Sequence, residues 1–252
     1  MSTEHVILKN LSPDRPVSLC TVVCFPYAGG GARVFRDWPR RLSRLVNVFA
    51  VQLPGREERL SEPPEADAER VVAELCAAIE PVVEEKVILF GHSLGAVLAA
   101  RVAQELLGDR GESDAVLFVS GRRSPWSGPL SSGARGLADD ELVERLRSMG
   151  GGRAQLASEA EFVRLMLPAL KADLHLSDAA LGIREHGVPI PVIGLYGRHD
   201  VGTPLSHVRQ WSRFTTGGFR SAEIDGDHYF VEGNVASVTA IVDAAARSLI
   251  GL

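Results

Sequence analysis

The chain has 252 residues, a length that fits one α/β domain or two small ones. Hydrophobic residues make up 45% and charged residues 23% of the chain, so it has enough apolar side chains to bury a core. Acidic residues outnumber basic ones by 32 to 27, which gives a net charge of −5 and argues against a nucleic-acid partner.

Short runs rich in Val, Ile, Leu and Phe recur along the chain and predict strands. They span Val17–Phe25, Asn47–Leu53, Val87–Phe90, Ala115–Ser120, Val192–Tyr196 and Arg220–Ile224. Because these runs lack a clean two-residue alternation, we expect them to be covered on both faces, as in a parallel sheet. Apolar residues at helical spacing predict helices over Asp67–Glu84, Ala96–Leu107, Leu205–Thr215 and Val235–Leu249. The alternation of strands and helices indicates a doubly wound, mostly parallel α/β sheet.

One segment, between Gly121 and Pro191, interrupts this alternation because it contains no good strand. Its composition predicts a loop over residues 124–136 and helices over Leu137–Met149 and Glu159–Asp178, with Pro168 expected to kink or end the second helix. We expect these helices to form a lid over the carboxyl edge of the sheet, where open α/β sheets bind ligands. The expected division is a core of residues 1–121 and 191–252 with a lid insertion of residues 122–190.

The stretch from Val87 to Ala96 is the most informative in the sequence, because it reads as a strand, then G-x-S-x-G, then a helix. Ser93 would occupy a sharp, strained turn that lifts its hydroxyl above the sheet. Gly91 and Gly95 remove side chains that would clash in that turn. The backbone N–H of Leu94 would then point to the place where an oxyanion forms. We predict that Ser93 is a nucleophile.

A serine hydroxyl needs a base to take its proton, and seven histidines compete for that role. His92 adjoins Ser93, but its side chain should leave the turn in another direction. His228 lies in the loop between the last predicted strand and the last predicted helix, which is where a fold of this kind places its base. The remaining histidines are His5, His175, His186, His199 and His207. We predict His228 as the base.

The third member should be a carboxylate that orients the imidazole, in the chain order serine, acid, histidine. Asp200 follows a predicted strand and can reach the same edge of the sheet. Asp225 and Asp227 are too close in sequence to His228, and Asp173 belongs to the insertion. We therefore predict Asp200.

A second oxyanion donor should come from a loop after an early strand. The glycine-rich segment from Phe25 to Gly31 is the candidate, and the N–H of Ala28 is the predicted donor. The rival interpretation, a phosphate-binding loop, lacks the following G-K-[ST] and any nearby lysine.

Taken together, these residues resemble the type II thioesterases of polyketide and non-ribosomal peptide assembly lines, within the α/β-hydrolase superfamily. The resemblance runs from about Val22 to Val231. Besides Ser93, Asp200 and His228, it rests on the segments Phe25–Gly30, Gln52–Glu57, Ser120–Arg123, Met149–Gly151 and Leu167–Asp173.

The chain departs from the family pattern in three places. Leu94 stands where Met often follows the nucleophile, and Asp227 replaces the second glycine before the histidine. The insertion has Ser177–Ala180 where the family commonly has Glu and Tyr. The first change leaves the N–H in place, and the last bears on acyl-chain selectivity.

The resemblance implies a substrate: an acyl group thioesterified to the phosphopantetheine arm of an acyl or peptidyl carrier protein, which the enzyme releases when the group is aberrant or stalled. The chain itself is expected to need no cofactor and no metal. Tyr27, Phe162, Met166 and Tyr229 are expected to line the substrate site. The rival functions are a carboxylesterase or lipase for small esters, an acyltransferase, and a catalytically silent binding module.

Four arginines at helical spacing predict a surface helix that could present one basic face to an acidic carrier protein, or that is simply solvated. They are Arg33, Arg36, Arg40 and Arg44. Arg122 and Arg123 are a second candidate docking pair.

The three cysteines form no C-x-x-C pair, so neither a disulfide framework nor a zinc site is expected. No apolar run approaches the ~20 residues of a membrane helix, and residues 1–10 show no signal-peptide pattern. We expect a cytoplasmic monomer with no membrane partner.

Overall fold

The computed structural model describes residues 7–15, 17–83, 86–109, 111, 114–127, 138–148, 160–178 and 182–252. Within these ranges seven strands form one sheet. They are β1 (Leu8–Asn10), β2 (Cys20–Phe25), β3 (Val46–Val51), β4 (Val87–His92), β5 (Ala115–Ser120), β6 (Val192–Gly197) and β7 (Phe219–Ile224). Their order is β1-β3-β2-β4-β5-β6-β7. β1 pairs antiparallel with β3, and every other pairing is parallel.

All six predicted strands are present; β5 has the predicted bounds, and the other five differ at one or both ends. β2 begins at Cys20 rather than at Val17, since Val17 and Leu19 are exposed. β1 was not predicted, because three residues reading Leu-Lys-Asn show neither an apolar run nor alternation. Its strand pairing with β3 is what orders it.

The described helices are α1 (Ala68–Ile79), α2 (Leu94–Leu106), α3 (Asp139–Ser148), α4 (Ala160–Asp178), α5 (Leu205–Val208), α6 (Phe230–Gly233) and α7 (Val235–Leu249). α1 begins at Asp67, whose carboxylate accepts the N–H groups of Glu69 and Arg70. It ends before Pro81, which has no N–H to continue it. The predicted helix over Leu205–Thr215 was too long, since after α5 the chain tightens into a 3₁₀-helix over Arg209–Phe214.

The central strands are buried on both faces, as predicted. Along β4, Val87 and Leu89 face the cluster that includes α1 and α2, whereas Ile88 and Phe90 face the cluster that includes α7. This division follows from the pleat, which points successive side chains to opposite faces. Helices on both faces of a mostly parallel sheet are the doubly wound architecture, so the predicted fold class is confirmed.

The two helices of the predicted lid, α3 and α4, lie between β5 and β6 in the chain. α4 continues past Pro168, so the proline does not end it. Leu142, Leu167 and Leu170 form a small apolar cluster, and Ala28 of the loop after β2 packs against it. Two predicted features lie outside the described residues. They are most of the predicted loop over 124–136, since residues 128–137 are not described, and the segment Met149–Gly151. The lid boundaries of 122 and 190 stay a prediction.

The prediction of one arginine-bearing surface helix was wrong. The segment instead contains two 3₁₀-helices, Ala32–Phe35 and Trp38–Arg40. Buried Phe35 and Trp38 direct this segment onto the sheet, and Pro39 prevents a longer helix. All four arginines are nevertheless exposed.

In the part of the chain that the structure describes, none of the helices combines the length and the apolar character needed to cross a membrane.

Candidate active site

Ser93 occupies the sharp turn between β4 and α2, as predicted. Its backbone has φ 54° and ψ −113°, a strained conformation for a residue with a side chain. Its N–H donates to the carbonyl of Ser120 at the end of β5 (2.8 Å), which fixes the turn to the neighbouring strand. The strain therefore belongs to a tightly held backbone at the carboxyl edge of the sheet.

The two glycines of G-x-S-x-G allow close backbone contacts. A Cβ at Gly91 would lie 2.1 Å from the carbonyl oxygen of Gly95, and a Cβ at Gly95 would lie 2.0 Å from that of Phe25. Neither position can hold a side chain unless the backbone moves. The Gly95 contact also brings the loop after β2 against the start of α2.

His228 and Asp200 complete the predicted group. The Nε2 atom of His228 lies 3.1 Å from Ser93 Oγ, and its Nδ1 lies 2.7 Å from Asp200 Oδ2. Because a carboxylate only accepts, Nδ1 carries the proton and Nε2 is free to accept the serine hydroxyl. The structure thus brings together all three side chains that the sequence predicted.

The sheet explains how three distant residues converge. Ser93, Asp200 and His228 follow β4, β6 and β7, and the carboxyl ends of these parallel strands share one edge. At the end of β6, a Cβ on Gly197 would lie 2.7 Å from the carbonyl oxygen of Asp227, so the absence of a side chain there lets the histidine loop approach.

Asp200 is held as a carboxylate. Burial raises its pKa, but the hydrogen bond and charge of His228 and the hydrogen bonds from Thr203 and the Gly202 N–H outweigh it, so the net pKa lies below the ordinary 3.8. A carboxylate that stays ionised at neutral pH can stabilise a positively charged imidazole.

His92 supports the histidine loop instead of acting as the base. Its Nε2–H donates to the backbone carbonyl of His228 (2.8 Å), and its Nδ1 accepts the hydroxyl of Ser120 (2.8 Å). Complete burial, and next the nearby His228, lower the pKa of His92 to about 3. His92 is therefore neutral at physiological pH. The sequence predicted only that this side chain leaves the turn.

The two predicted oxyanion donors lie in suitable backbone. Leu94 is the first residue of α2, where N–H groups have no acceptor within the helix. Ala28 lies in the turn that the Gly30 N–H closes on the carbonyl of Tyr27 (2.8 Å), and Gly29 has a φ of 72°. This turn is referred to below as the oxyanion loop, residues 26–31.

A buried ion pair beside this loop was not predicted. The side chains of Arg56 and Asp173 are only 2% and 1% exposed, and both terminal nitrogens of the guanidinium, Nη1 and Nη2, contact the carboxylate. As a partner for His228, Asp173 was not predicted because it lies in the insertion. Asp173 and Arg56 each lie in a segment that carries the family resemblance, and this was the sequence signal that could have pointed to them.

An open cavity of about 830 Å³ adjoins the oxyanion loop. Its walls include Gly29, Arg33, Arg36, Leu165, Met166 and Val235. Met166, a predicted substrate-binding residue, therefore faces space that a ligand can occupy. The side chain of Phe162 lies outside the described part of the structure.

Tyr27 and Tyr229 are buried next to the reacting groups. Their rings pack edge to face with centroids 5.2 Å apart, and the Tyr27 hydroxyl donates to Glu232. These contacts support the backbone just before Ala28 and just after His228. The substrate-binding role predicted for the two tyrosines stays a prediction.

The arrangement is suited to acyl transfer. A hydroxyl, an imidazole and a carboxylate are hydrogen-bonded in sequence, and the start of a helix lies against the glycine-rich turn that carries the second predicted N–H donor. Such a site can attack a carbonyl carbon and stabilise the resulting oxyanion.

Comparison with known proteins places this chemistry in a family. A model of the thioesterase domain family matches residues 20–248. The thioesterase PikA5 of Streptomyces venezuelae is 34% identical over 217 residues, which cover 86% of this chain and 77% of that protein.

Solved structures agree. RedJ, the thioesterase of the prodiginine biosynthetic pathway in Streptomyces coelicolor, shows 32% identity and a TM-score of 0.79 over 92% of this chain and 87% of its own. The type II thioesterase BorB from the borrelidin biosynthetic cluster shows 26% identity and a TM-score of 0.81 over 99% and 100% of the two chains.

These findings confirm the expected resemblance and the expected enzyme class, a hydrolase that acts on thioesters. The chain belongs to the thioesterase domain family.

Proposed function

We propose that this thioesterase hydrolyses acyl groups from the phosphopantetheine arm of carrier proteins, with Ser93 as nucleophile, His228 as base and Asp200 as its orienting acid. The observation that carries the proposal is the continuous contact from Ser93 Oγ through His228 to Asp200, at 3.1 and 2.7 Å, beside the oxyanion loop.

The first half of the reaction forms an acyl-serine. Ser93 Oγ attacks the thioester carbonyl while its proton passes to His228 Nε2, and Asp200 stabilises the imidazolium. The N–H groups of Leu94 and Ala28 donate to the oxyanion, an effect worth ~3 kcal/mol per donor. The C–S bond then breaks, and the sulfur leaves with the proton from His228. A thiol, with a pKa of about 8.5, leaves far more readily than an amine.

The second half releases the acid. Water enters, gives a proton to His228 Nε2 and attacks the acyl-serine carbonyl through the same oxyanion site. The C–O bond to Ser93 breaks, and the serine oxygen regains the proton. The products are a free carboxylic acid and the carrier protein with its thiol restored.

The substrate class is supported by the names of the relatives and by the cavity. RedJ and BorB are named for the prodiginine pathway and the borrelidin cluster, and BorB is named as a type II thioesterase. The cavity beside the oxyanion loop combines apolar Leu165 and Met166 with charged residues of both signs, namely Arg33, Arg36, Arg56, Asp37, Glu57, Glu58 and Glu232. The apolar part of these walls suits an acyl chain. A monomeric state and a cytoplasmic location are further predictions.

The test compares the same acyl group on a carrier protein and on a p-nitrophenyl ester. We expect kcat/KM to be higher for the carrier-bound thioester, and mass spectrometry to find the free acid as the product. A higher kcat/KM for the ester would indicate the rival carboxylesterase. Transfer of the acyl group to an added amine or alcohol, in place of water, would indicate an acyltransferase.

A further inference from the structure

The side chain of one lid residue forms a hydrogen bond with the backbone of the oxyanion loop. Asp173, on α4, accepts the backbone N–H of Gly29 on Oδ2 at 2.6 Å. Gly29 directly follows Ala28, whose N–H is the proposed oxyanion donor. The acceptor thus lies one peptide away from the group that must point at the reacting carbonyl.

The same carboxylate is itself fixed by Arg56. The Nη2 of Arg56 donates to Asp173 Oδ1 (2.8 Å), and its Nη1 contacts Oδ2. Nη1 also donates to the carbonyl of Gly30 (3.2 Å), and the guanidinium is held in place by the carbonyl of Pro54. Arg56 and Asp173 together hold the N–H of Gly29 and the carbonyl of Gly30, on adjacent residues of the loop.

Burial makes this arrangement costly unless every partner is present. Two charges removed from water lose hydration, and well-packed apolar residues often replace such a pair without loss of stability. Stability alone therefore gives a weak reason for this ion pair. A conformational role fits better, since among the described residues the two side chains contact the backbone of the Pro54 turn and of the oxyanion loop.

Apolar contacts act in the same place. Ala28 packs against the cluster of Leu142, Leu167 and Leu170, of which the last two share α4 with Asp173. α4 thus contacts the oxyanion loop through both the hydrogen bond of Asp173 to Gly29 and the apolar contact with Ala28.

We propose that Asp173 is a positioning residue: with Arg56, it orients the oxyanion loop so that the Ala28 N–H donates to the tetrahedral intermediate, which makes the oxyanion site dependent on the docking of the lid helix. The inference rests on the proposed function, because it assigns Asp173 a role in the oxyanion chemistry at Ser93.

The test uses two double variants, both without charge at positions 56 and 173, of which only one offers the Gly29 N–H a side-chain acceptor. Arg56→Met/Asp173→Asn removes both charges and keeps a side-chain carbonyl at position 173. Arg56→Met/Asp173→Leu removes both charges and, with a side chain of similar shape, the acceptor. Lys171→Met is the control on the same helix, since Lys171 contacts exposed Asp139 instead of the loop.

With a small acyl thioester, we expect kcat of the Leu variant to be 10- to 100-fold below that of the Asn variant, with KM within about twofold. A trifluoromethyl ketone, which forms an oxyanion on the nucleophilic serine, should bind the Leu variant more weakly by a similar factor. Melting temperatures should agree within a few degrees, and Lys171→Met should behave as the wild type. Equal kcat and equal ketone affinity in the two double variants would overturn the proposal.

Two further measurements separate the possible failures. Should the double variants not fold, hydrogen exchange in the wild type decides: the Gly29 amide must exchange as slowly as the amides in the middle of α4, and exchange as fast as an exposed loop overturns the proposal. Ser93→Ala is assayed in parallel. If it remains fully active, the proposed function fails; if it is inactive while the double variants match, only the role of Asp173 fails.

Discussion

His92 shows how a single buried side chain can make the fold depend on pH. The ring is neutral in the native state, with a pKa of about 3, whereas the unfolded chain protonates it below about 6.5. Between these values the unfolded state binds more protons than the native state, so acidification favours unfolding.

For this residue the expected loss of unfolding free energy between pH 7 and pH 5 is about 2 kcal/mol. His92→Gln, whose amide can still donate to the carbonyl of His228, should remove most of that pH dependence. Urea denaturation at the two pH values measures it. His199→Gln, at an exposed histidine, is the control for the same substitution made at the surface. A His92→Gln chain with the wild-type pH dependence would contradict this explanation.

In the proposed mechanism, Asp200 acts through the tautomer of His228. Asp200→Asn keeps the shape but offers an N–H to Nδ1, so the ring turns its proton toward Ser93 and can no longer accept the hydroxyl. We expect kcat to fall by about 10⁴ with KM nearly unchanged. Steady-state kinetics with a small thioester measure this, and Asp225→Asn, at an exposed carboxylate that lies outside the Ser93–His228 contact, should retain activity. A fall of less than tenfold would exclude Asp200 as the orienting acid.

The junction of β4 and α2 is the element on which the site is built. A methyl group at Gly95 would meet the carbonyl of Phe25 at 2.0 Å and push the oxyanion loop away from α2. We expect Gly95→Ala to cost about 1–3 kcal/mol of stability and to reduce kcat sharply. Gly233→Ala, where the added Cβ meets nothing within 4 Å, should change neither. Thermal melting and kinetics on both variants provide the comparison, and a fully active Gly95→Ala chain would be the contrary result.

What the sequence predicts well is whatever depends on local pattern. The turn at Ser93 and the positions of Asp200 and His228 follow from a strand, a short motif and chain order, and the structure places all three as expected. The prediction of an arginine-bearing helix was wrong because the spacing of the arginines takes no account of Pro39 or of the burial of Phe35 and Trp38. The contact between Asp173 and Gly29 joins residues 144 positions apart, which no local pattern specifies.

The exposed arginines bear on how a partner protein approaches the site. Arg33 and Arg36 are exposed and line the cavity next to the oxyanion loop, although they do not form the predicted helix. Arg122, by contrast, donates to the hydroxyl and carbonyl of Ser177, so it is engaged in holding the end of α4. Arg33 and Arg36 are therefore better candidates than Arg122 for contact with an acidic carrier, although Asp37, Glu57, Glu58 and Glu232 share the cavity wall with them.

Charge reversal at Arg33 and Arg36 should raise KM for a carrier-bound substrate several-fold at low salt, because surface charges mainly affect the rate of association. The increase should be smaller at high salt, which screens these charges. A small thioester should be turned over as by the wild type. Arg220→Glu, at an exposed position on β7, is the matched control. Equal losses with the small thioester would show that the arginines do not act in docking.

The central claim is that an acyl group passes through Ser93 on its way from a thiol to water. Wild-type enzyme and Ser93→Ala are each mixed with an acylated carrier protein, and the carrier is weighed by mass spectrometry over time. The wild type should return the carrier to its free-thiol mass, and Ser93→Ala should be slower by a factor on the order of 10⁴–10⁶. Deacylation by Ser93→Ala at the wild-type rate would show that the acyl group does not pass through Ser93.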